Sequence, residues 1–447
     1  MVKKYKKSMF IIKRQIGDGK AILYNSLRGK ESIRIVSKDS IVYKVISGKE
    51  DLNICSDYEI QWLISAGYLV RKEVDERAIR DAKKAHILEN NYLNLTIHIT
   101  KECNFRCVYC SNEFTEEVIM EEVQKNIIKF LKRNIYRYSG VCVSWFGGEP
   151  LLETEIINYL SAQIIEICKK AKKPYFADIT TNGYMLEESV IEKLQRWKVR
   201  EICVTIDGDE KTHNRTRKTR YNQGTYKKII ENLLLIKEKY KHIPLNIFIR
   251  INLTKDTIKN FSEYYEEFNR LFGSDSRFSL YLKLVRDWGG KEINVIRNQL
   301  VHETALKEVY KQYVHNKREL SILEDFEQLE FGGLSCNSMK KNSLVFFHNG
   351  DVSKCEKNEK FNVLGKLTQE GIEFDNEIFE MWNGIAYKMK EKCQNCPIST
   401  LCFGNGCPRD KIRGKNAECE MQFATVYNLL ELYATLFLEK YPLKLNE

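Results

Sequence analysis

Residues 95–110 read LTIHITKECNFRCVYC. The alternating apolar run from Leu95 to Ile99 is typical of a strand, and Cys103, Cys107 and Cys110 follow it with the spacing C-x3-C-x2-C. Thiolates are the ligands that iron–sulfur clusters use. Because no fourth cysteine follows nearby, one iron of a four-iron cluster would have no protein ligand and would be open to a small molecule. Structural zinc, the main alternative, normally takes four protein ligands.

Strand and helix patterns alternate from residue 91 to residue 320. The predicted strands are Leu95–Thr100, Val141–Trp145, Tyr175–Thr180, Glu201–Ile206, Leu245–Asn252 and Phe278–Val285, and the predicted helices are Glu121–Lys132, Glu153–Lys170, Glu187–Gln195, Tyr226–Lys239 and Asp256–Leu271. Six strands alternating with helices predict an α/β fold of parallel βαβ units with right-handed crossovers. Ligands of such sheets bind at the carboxyl ends of the strands, where the three cysteines are expected.

Further motifs fall at the ends of these predicted strands. They are Phe146-Gly147-Gly148-Glu149-Pro150, Thr181-Asn182-Gly183 and Thr205-Ile206-Asp207-Gly208. Glycine lets the backbone approach a ligand closely, and a glutamate is able to pair with an ammonium group. The same dipeptides are common in turns, but their repeated position at strand ends favours a binding role. Arg250 and Asn252 are candidates for the same pocket, or polar residues at the edge of the core.

Together, the three cysteines and the strand-end motifs resemble the radical SAM family. In that family the open iron chelates the amino and carboxylate groups of S-adenosylmethionine (SAM). The resemblance implies a partial (β/α)6 TIM-like barrel over residues 91–320. The segment Asp207-Gly208-x4-His213-x3-Arg217 is similar to one found in peptide-modifying members of the family.

The resemblance also implies roles for individual residues at the SAM site. Tyr109 is expected near the adenine, and Gly147, Gly148, Glu149 and Pro150 are expected to receive the methionyl amino group. Thr205 and Asp207 are expected near the ribose or the substrate, and Asn182 and Arg250 belong to the same expected cofactor-binding set. No residue is identified as a general base.

Seven late cysteines form a second group, and the segment that holds them, from about residue 330 to 425, shows little periodic structure. They are Cys336, Cys355, Cys393, Cys396, Cys402, Cys407 and Cys419. A zinc ribbon is one interpretation. The spacing, with Gly350 before Cys355, also resembles the SPASM domain, a loop-rich iron–sulfur module of peptide-modifying radical SAM enzymes. Gln422–Tyr441 is predicted to be a final amphipathic helix.

The SPASM resemblance implies two auxiliary 4Fe–4S clusters, and therefore three clusters in the chain. Cys393, Cys396, Cys402 and Cys419 would hold one, and Cys336, Cys355 and Cys407 would hold the other. Two features depart from the family pattern: four residues rather than three separate Cys402 from Cys407, and an eighth cysteine is missing. The second cluster would then have three thiolates and either an open iron or another donor.

Residues 1–90 are predicted to form a small α+β module. Met9–Ile16, Lys20–Asn25 and Ser32–Val36 have strand patterns, and Ser56–Ala66 has a helix pattern that begins with a capping box of Ser56 and Glu59. The stretches 22–29 and 60–70 resemble the RiPP recognition element, a winged-helix-like domain that binds the leader of a ribosomally made precursor peptide. Winged helices also bind DNA, but the enzyme-like segments downstream favour a peptide.

Composition limits the compartment and the partners. The 447 residues carry a net charge of +11 without a long basic block. In a leaderless cytosolic chain, the 14 cysteines are not expected to form a disulfide framework. No apolar run is long enough to span a membrane, and the basic N-terminus, residues 1–7, lacks a signal peptide. We therefore expect a cytoplasmic protein with regions 1–90, 91–320 and 321–447, which binds neither membrane nor nucleic acid.

The resemblances imply a radical SAM peptide maturase. Reductive cleavage of SAM would give a 5′-deoxyadenosyl radical, which would abstract hydrogen from a precursor peptide and lead to a cysteine thioether of the sactipeptide or ranthipeptide type. An electron donor such as flavodoxin or ferredoxin is expected. Three alternatives stay open: carbon–carbon crosslinking, formylglycine formation by an anaerobic sulfatase maturase, and, least favoured, a nucleic-acid-binding iron–sulfur regulator.

Overall fold

The computed structural model describes residues 2–288, 290, 292–302, 305–306, 308–309, 312, 326–357, 360–404, 407–414 and 419–440. Its N-terminal elements are β1 (Tyr5–Lys7), β2 (Ile11–Gln15), β3 (Lys20–Asn25), β4 (Arg34–Ser37), α1 (Ile41–Ser47), α2 (Asp57–Ser65), β5 (Leu69–Arg71) and α3 (Glu76–Leu88). β2, β3 and β4 form an antiparallel sheet in that order, and β1 pairs with β5.

Local sequence signals explain most of this N-terminal module. The predicted capping box of α2 is confirmed, since the Glu59 amide donates to the Ser56 hydroxyl and the Ser56 amide donates to the Glu59 carboxylate. The sequence did not predict α1, which is only seven residues long and begins after Ser40. Apolar residues of the sheet and of both helices, including Leu23, Ile46 and Leu63, form a separate small core.

The next region contains six strands of the main sheet, two strands that pair with each other in a separate small sheet, and the helices between them. The strands are β6 (Tyr92–His98), β7 (Phe105–Cys107), β8 (Gly140–Phe146), β9 (Tyr175–Thr181), β10 (Val199–Thr205), β11 (Arg217–Thr219), β12 (Asn246–Leu253) and β13 (Phe278–Leu284). The helices are α4 (Glu121–Asn134), α5 (Thr154–Lys170), α6 (Glu188–Arg196), α7 (Glu210–Thr216), α8 (Tyr226–Lys239), α9 (Lys255–Lys259) and α10 (Phe261–Phe272).

Strand order confirms the predicted fold class. The strands β6, β8, β9, β10, β12 and β13 are parallel, and each one pairs with the next along the chain. Every crossover therefore advances in the same direction, as in a TIM barrel. Within the described residues β13 has only β12 as a neighbour, so the barrel is partial. The carboxyl ends of all six strands meet at one mouth.

The C-terminal region continues the same sheet. Its elements are β14 (Ser343–Phe346), β15 (Asp351–Ser353), β16 (Val363–Leu367), β17 (Ile372–Phe374), α11 (Asn376–Tyr387), α12 (Ser399–Cys402), α13 (Pro408–Ile412) and α14 (Cys419–Lys440). β14 pairs parallel with β6, and β15 to β17 follow antiparallel, which gives a sheet of ten described strands.

This continuation corrects the expectation of a loop-heavy segment. Strands of three to five residues are too short to show a clear alternation, and β14 is defined by pairing with β6, about 250 residues earlier. The predicted final helix is present, but its predicted last residue, Tyr441, lies outside the described residues. Among the described helices, none combines the length and apolar character needed to cross a bilayer.

Asp178 on β9 makes the stability of the barrel depend on pH. Burial raises the pKa of its carboxyl to about 6, although the Ser144 hydroxyl donates a hydrogen bond to it at 2.7 Å. The folded state therefore favours the protonated carboxyl, and its contribution to stability is fully present below about pH 4 and lost as the pH rises through 6. We expect Asp178→Asn to stabilise the protein by about 1–2 kcal/mol at pH 8.

Thermal unfolding of the wild type and of Asp178→Asn at pH 4 to 8 measures this effect. The difference in Tm should be largest at pH 8 and should shrink towards pH 4. A difference in Tm that does not change with pH would contradict the raised pKa of the Asp178 carboxyl.

Candidate active site

The three early cysteines surround one cavity at the mouth of the barrel. Cys103, Cys107 and Cys110 line a cavity of about 340 Å³, a volume within the range of small-molecule sites. Cys107 ends β7, which pairs with β11 so that Cys107 lies opposite Arg217. Burial raises the pKa of the Cys107 thiol to about 12, and the Arg217 guanidinium partly offsets this rise. The neutral thiol is therefore favoured until a positive partner binds.

The buried side chain of Arg217 shows that the surroundings of the three cysteines suit an iron–sulfur cluster. Its side chain is buried, one terminal nitrogen donates to the Tyr109 hydroxyl at 2.8 Å, and its Nε has no hydrogen-bond partner among the described residues. A buried donor without an acceptor costs about 1–3 kcal/mol. An anionic cluster would supply both an acceptor and a countercharge, so three thiols beside this cation fit the group that the sequence predicts.

The described residues contain no set of three His, Cys, Asp or Glu side chains close enough to hold a single metal ion. This observation concerns one ion. Each thiolate of a four-iron cluster binds a different iron, so its ligands stand farther apart than those of a single ion.

The glycine pair after β8 lies against the cysteine loop. Gly147 and Gly148 line the cavity, and the Gly148 amide donates to the Thr100 carbonyl at 2.8 Å. A Cβ at Gly148 would lie 2.1 Å from the Glu102 carbonyl oxygen, and one at Gly147 would lie 2.4 Å from that of Thr100. Both positions require glycine because the backbone that leads into Cys103 occupies the side-chain space.

Glu149 does not line the cavity, and neither does Pro150. The Glu149 carboxylate is fully buried and accepts hydrogen bonds from the Leu151 amide at 3.0 Å, the Thr181 hydroxyl at 2.7 Å and the Asn182 amide at 2.6 Å. It thereby ties the end of β8 to the end of β9. The structure gives this carboxylate a positioning role, and its predicted contact with an ammonium group stays a prediction.

A buried network surrounds the Tyr109 hydroxyl. This hydroxyl donates to the Asp207 carboxylate and accepts from Arg217 and from the Asn252 side-chain amide, the latter at 3.0 Å. Asp207 also accepts from the Asn252 backbone amide at 3.1 Å and from the Thr216 hydroxyl at 3.2 Å. Tyr109 lines the cavity but Asp207 does not. Asp207 therefore orients Tyr109 and Asn252, and its expected position near the ribose or the substrate stays a prediction.

The remaining predicted residues reach the cavity. Asn182, Thr205 and Arg250 all line it. The Asn182 side-chain amide donates to Asn104 at 2.6 Å and lies 3.9 Å from the Cys103 sulfur. Asn182 therefore contacts the cysteine loop directly.

Sequence reasoning missed the aromatic and basic residues that close the cavity. Trp288 and Lys357 line it, and the Lys357 ammonium donates to the Ser111 hydroxyl beside Cys110. Lys357, Arg409 and Arg286 lie 5.5, 5.7 and 5.9 Å from the Trp288 ring centroid, distances typical of cation–π contacts. Arg286, Trp288 and Lys357 come from loops and Arg409 from the short helix α13. They share no local motif, so nothing in the sequence pointed to them.

A second cavity of about 1040 Å³ adjoins the first. The two cavities share Arg250, Trp288 and Glu356 among their lining residues. The second is also lined by Cys336 and Cys407, two of the three cysteines predicted to hold one auxiliary cluster. Burial raises the pKa of the third, Cys355, to about 11, and the nearby Cys336 thiol adds to the rise. The structure thus brings the members of this predicted ligand set into one neighbourhood.

The other predicted set is also brought together. Burial raises the pKa values of the Cys393, Cys396 and Cys402 thiols, the last to about 12, and the neighbouring Cys419 thiol raises all three further. Such mutual effects require short distances. The four thiols of this set are therefore neighbours, and the assignment of the two interleaved sets to two auxiliary clusters stays a prediction.

Comparison with known proteins supports the interpretation of the barrel. Residues 97–265 match the Radical SAM superfamily. The probable GTP 3′,8-cyclase of Thermococcus kodakarensis is 36% identical over 97 residues, which are 21% of this chain and 29% of that protein. The probable GTP 3′,8-cyclase of Archaeoglobus fulgidus is 23% identical over 292 residues, which are 62% of this chain and 90% of that protein.

A solved structure shares the fold. Native anSMEcpe with bound AdoMet and Kp18Cys peptide has a TM-score of 0.59 at 22% identity, over 78% of this chain and 98% of that one. The chain spans 29%, 50% and 31% of three curated relatives that it matches, so those matches concern part of each protein. The chain therefore carries a radical SAM domain over residues 97–265.

Proposed function

We propose that the protein is a radical SAM maturase that modifies a ribosomally made precursor peptide. The observation that carries this proposal is the pair of adjoining cavities. One is lined by Cys103, Cys107 and Cys110, and the larger one is lined by Cys336 and Cys407. A small cofactor fits the first cavity, and the volume of the second suits a segment of peptide.

In this proposal Cys103, Cys107 and Cys110 hold a 4Fe–4S cluster that, when bound, supplies the electron for reductive cleavage of SAM to a 5′-deoxyadenosyl radical. The residues of the chain would position the cofactor and balance its negative charge. Arg217 balances negative charge beside Cys107, and the Gly147 and Gly148 backbone forms one wall of the cavity. Asn182, Thr205, Arg250 and Tyr109 supply the polar groups that would orient SAM.

The peptide assignment is supported by the fold and by the N-terminal module. The similar structure of anSMEcpe contains a bound peptide together with AdoMet. In this chain, Lys30 of the N-terminal module lines the large cavity. β4 pairs only with β3 among the described strands, and an open strand edge is able to accept an extended peptide. A leader bound at β4 would therefore lie on the module that reaches the cavity.

The bond formed is proposed to be a cysteine thioether. Cys336, Cys355 and Cys407 would hold an auxiliary cluster with three thiolates, and its remaining iron would be available to a substrate thiolate. Two of these cysteines line the cavity proposed for the peptide. A carbon–carbon crosslink is the alternative product.

Anaerobic reconstitution with iron, sulfide, SAM, a reductant and the precursor peptide encoded beside the gene tests the proposal. We expect 5′-deoxyadenosine, and a peptide lighter by two hydrogens whose crosslink includes a cysteine. If no 5′-deoxyadenosine forms, the radical SAM activity is wrong. A crosslink that leaves all cysteines alkylatable would exclude the thioether and favour the carbon–carbon product.

A further inference from the structure

Helix α3 of the N-terminal module packs against a segment of the C-terminal region. This segment holds most of the four-cysteine set, which we define as Cys393, Cys396, Cys402 and Cys419. Arg77, Arg80 and Lys84 are spaced three and four residues apart, so they share one face of α3. This face meets residues 394–403, which follow Cys393 and include Cys396 and Cys402. The contact joins two regions separated by about 310 residues in the chain.

Arg80 is the centre of this contact. Its side chain is 0% exposed, and it donates to the Gln394 backbone carbonyl at 2.8 Å, the Gln394 side-chain oxygen at 2.9 Å and the Ser399 hydroxyl at 3.3 Å. Gln394 lies between Cys393 and Cys396. A planar guanidinium that meets both oxygens of one residue holds it in a defined orientation, so Arg80 sets the conformation of the loop between these two cysteines.

The positive charge of Arg80 is partly neutralised by Asp81, because the Arg80 Nε donates to the Asp81 carboxylate at 2.8 Å. Lys84, one turn further along α3, is 4% exposed and lies 6.0 Å from the ring centroid of Phe403, the residue after Cys402. A second contact from the N-terminal module supports the same segment, since Ser26 accepts from the Thr400 hydroxyl at 2.6 Å and donates to the Pro397 carbonyl.

We propose that α3 is part of the four-cysteine site: Arg80 is a positioning residue for the Cys393–Cys396 loop, and Lys84 places a positive charge beside the cluster. This inference rests on the proposed function, in which these cysteines hold a 4Fe–4S cluster. The potential of such a cluster depends on nearby charge. A cation stabilises the reduced, more negative form, so Lys84 makes this cluster easier to reduce.

The test uses the full-length protein isolated with its clusters at pH 7. Iron per chain and an EPR-monitored redox titration are measured for Arg80→Gln and Lys84→Gln. Lys83→Gln is the matched control, because it removes the same charge from α3 but from a side chain that meets the Leu27 carbonyl and the Phe331 ring.

We expect Arg80→Gln to lose the iron of one cluster, about four irons per chain. Lys84→Gln should keep its iron and shift one midpoint potential to a more negative value, and Lys83→Gln should change neither quantity. The inference is overturned if folded Arg80→Gln keeps wild-type iron, or if Lys84→Gln shifts no potential beyond the control. If Arg80→Gln does not fold, the midpoint potential of Lys84→Gln tests the inference alone. A shift beyond that of Lys83→Gln supports it, and no such shift overturns it.

Cys396→Ala separates this inference from the proposed function. Loss of about four irons per chain in Cys396→Ala, together with wild-type iron and potentials in both α3 variants, would overturn only the role of α3. Full iron in Cys396→Ala would overturn the auxiliary cluster itself.

Discussion

Replacing Cys107 with alanine is expected to remove the iron of one cluster, about four irons per chain, and to reduce 5′-deoxyadenosine formation to the level found without enzyme. The reason is that a cluster held by three thiolates has no spare protein ligand. Cys107 lies at the end of β7 opposite Arg217, and within the described residues no other cysteine lines the cavity beside Cys103 and Cys110. Iron analysis and liquid chromatography of the SAM products measure the two effects.

Cys168→Ala is the control for this experiment. Cys168 is buried on α5 and belongs to none of the three predicted ligand sets, so its removal should leave the iron content and 5′-deoxyadenosine formation unchanged. If Cys107→Ala retains wild-type iron, the assignment of this cavity as the cluster site is wrong.

Gly148→Ala is expected to destabilise the cysteine loop by about 3 kcal/mol, because overpacking against a rigid partner forces the backbone to move. The added methyl would lie 2.1 Å from the Glu102 carbonyl oxygen and 2.7 Å from that of Lys101. Neither is a flexible side-chain atom, so the strain has to be relieved by separating the two backbone segments. This movement would also break the hydrogen bond from the Gly148 amide to the Thr100 carbonyl.

Thermal unfolding and iron content measure the effect of Gly148→Ala. The matched control is Gly384→Ala on α11, where an added Cβ meets no atom within 4 Å. That change should stabilise the protein by about 0.5–1 kcal/mol, because alanine is the better helix former. Equal stability of the two variants would show that the close approach at Gly148 is not rigid.

Elements with strong local signals were predicted well. Helix α8 has the predicted limits, Tyr226–Lys239, and β9, β10 and β12 lie within a few residues of their predictions. The single helix predicted over Asp256–Leu271 is instead two helices, α9 and α10, which meet at Asn260. Apolar periodicity continues across that break, so the pattern alone does not reveal it.

In the candidate site, too, local sequence patterns predicted some features and missed others. The cysteine spacing identified a thiolate site, and the strand-end motifs identified the residues around it. The orientation of individual side chains followed from packing: Glu149 and Asp207 are held inside the protein by donors from neighbouring strands. Trp288 and Lys357 enter the cavity from segments that carry no motif. Their positions depend on contacts between residues far apart in the chain.

The sequence by itself determined the α/β class, the succession of strands and helices along the chain and the residue types that could bind a cluster, because periodicity and spacing are properties of neighbouring residues. Only the tertiary structure decided which side chains face the cavities, that β14 joins β6, and that α3 lies against the Cys393–Phe403 segment. Those features arise from pairing and burial over long sequence separations, where local patterns carry no information about the partner.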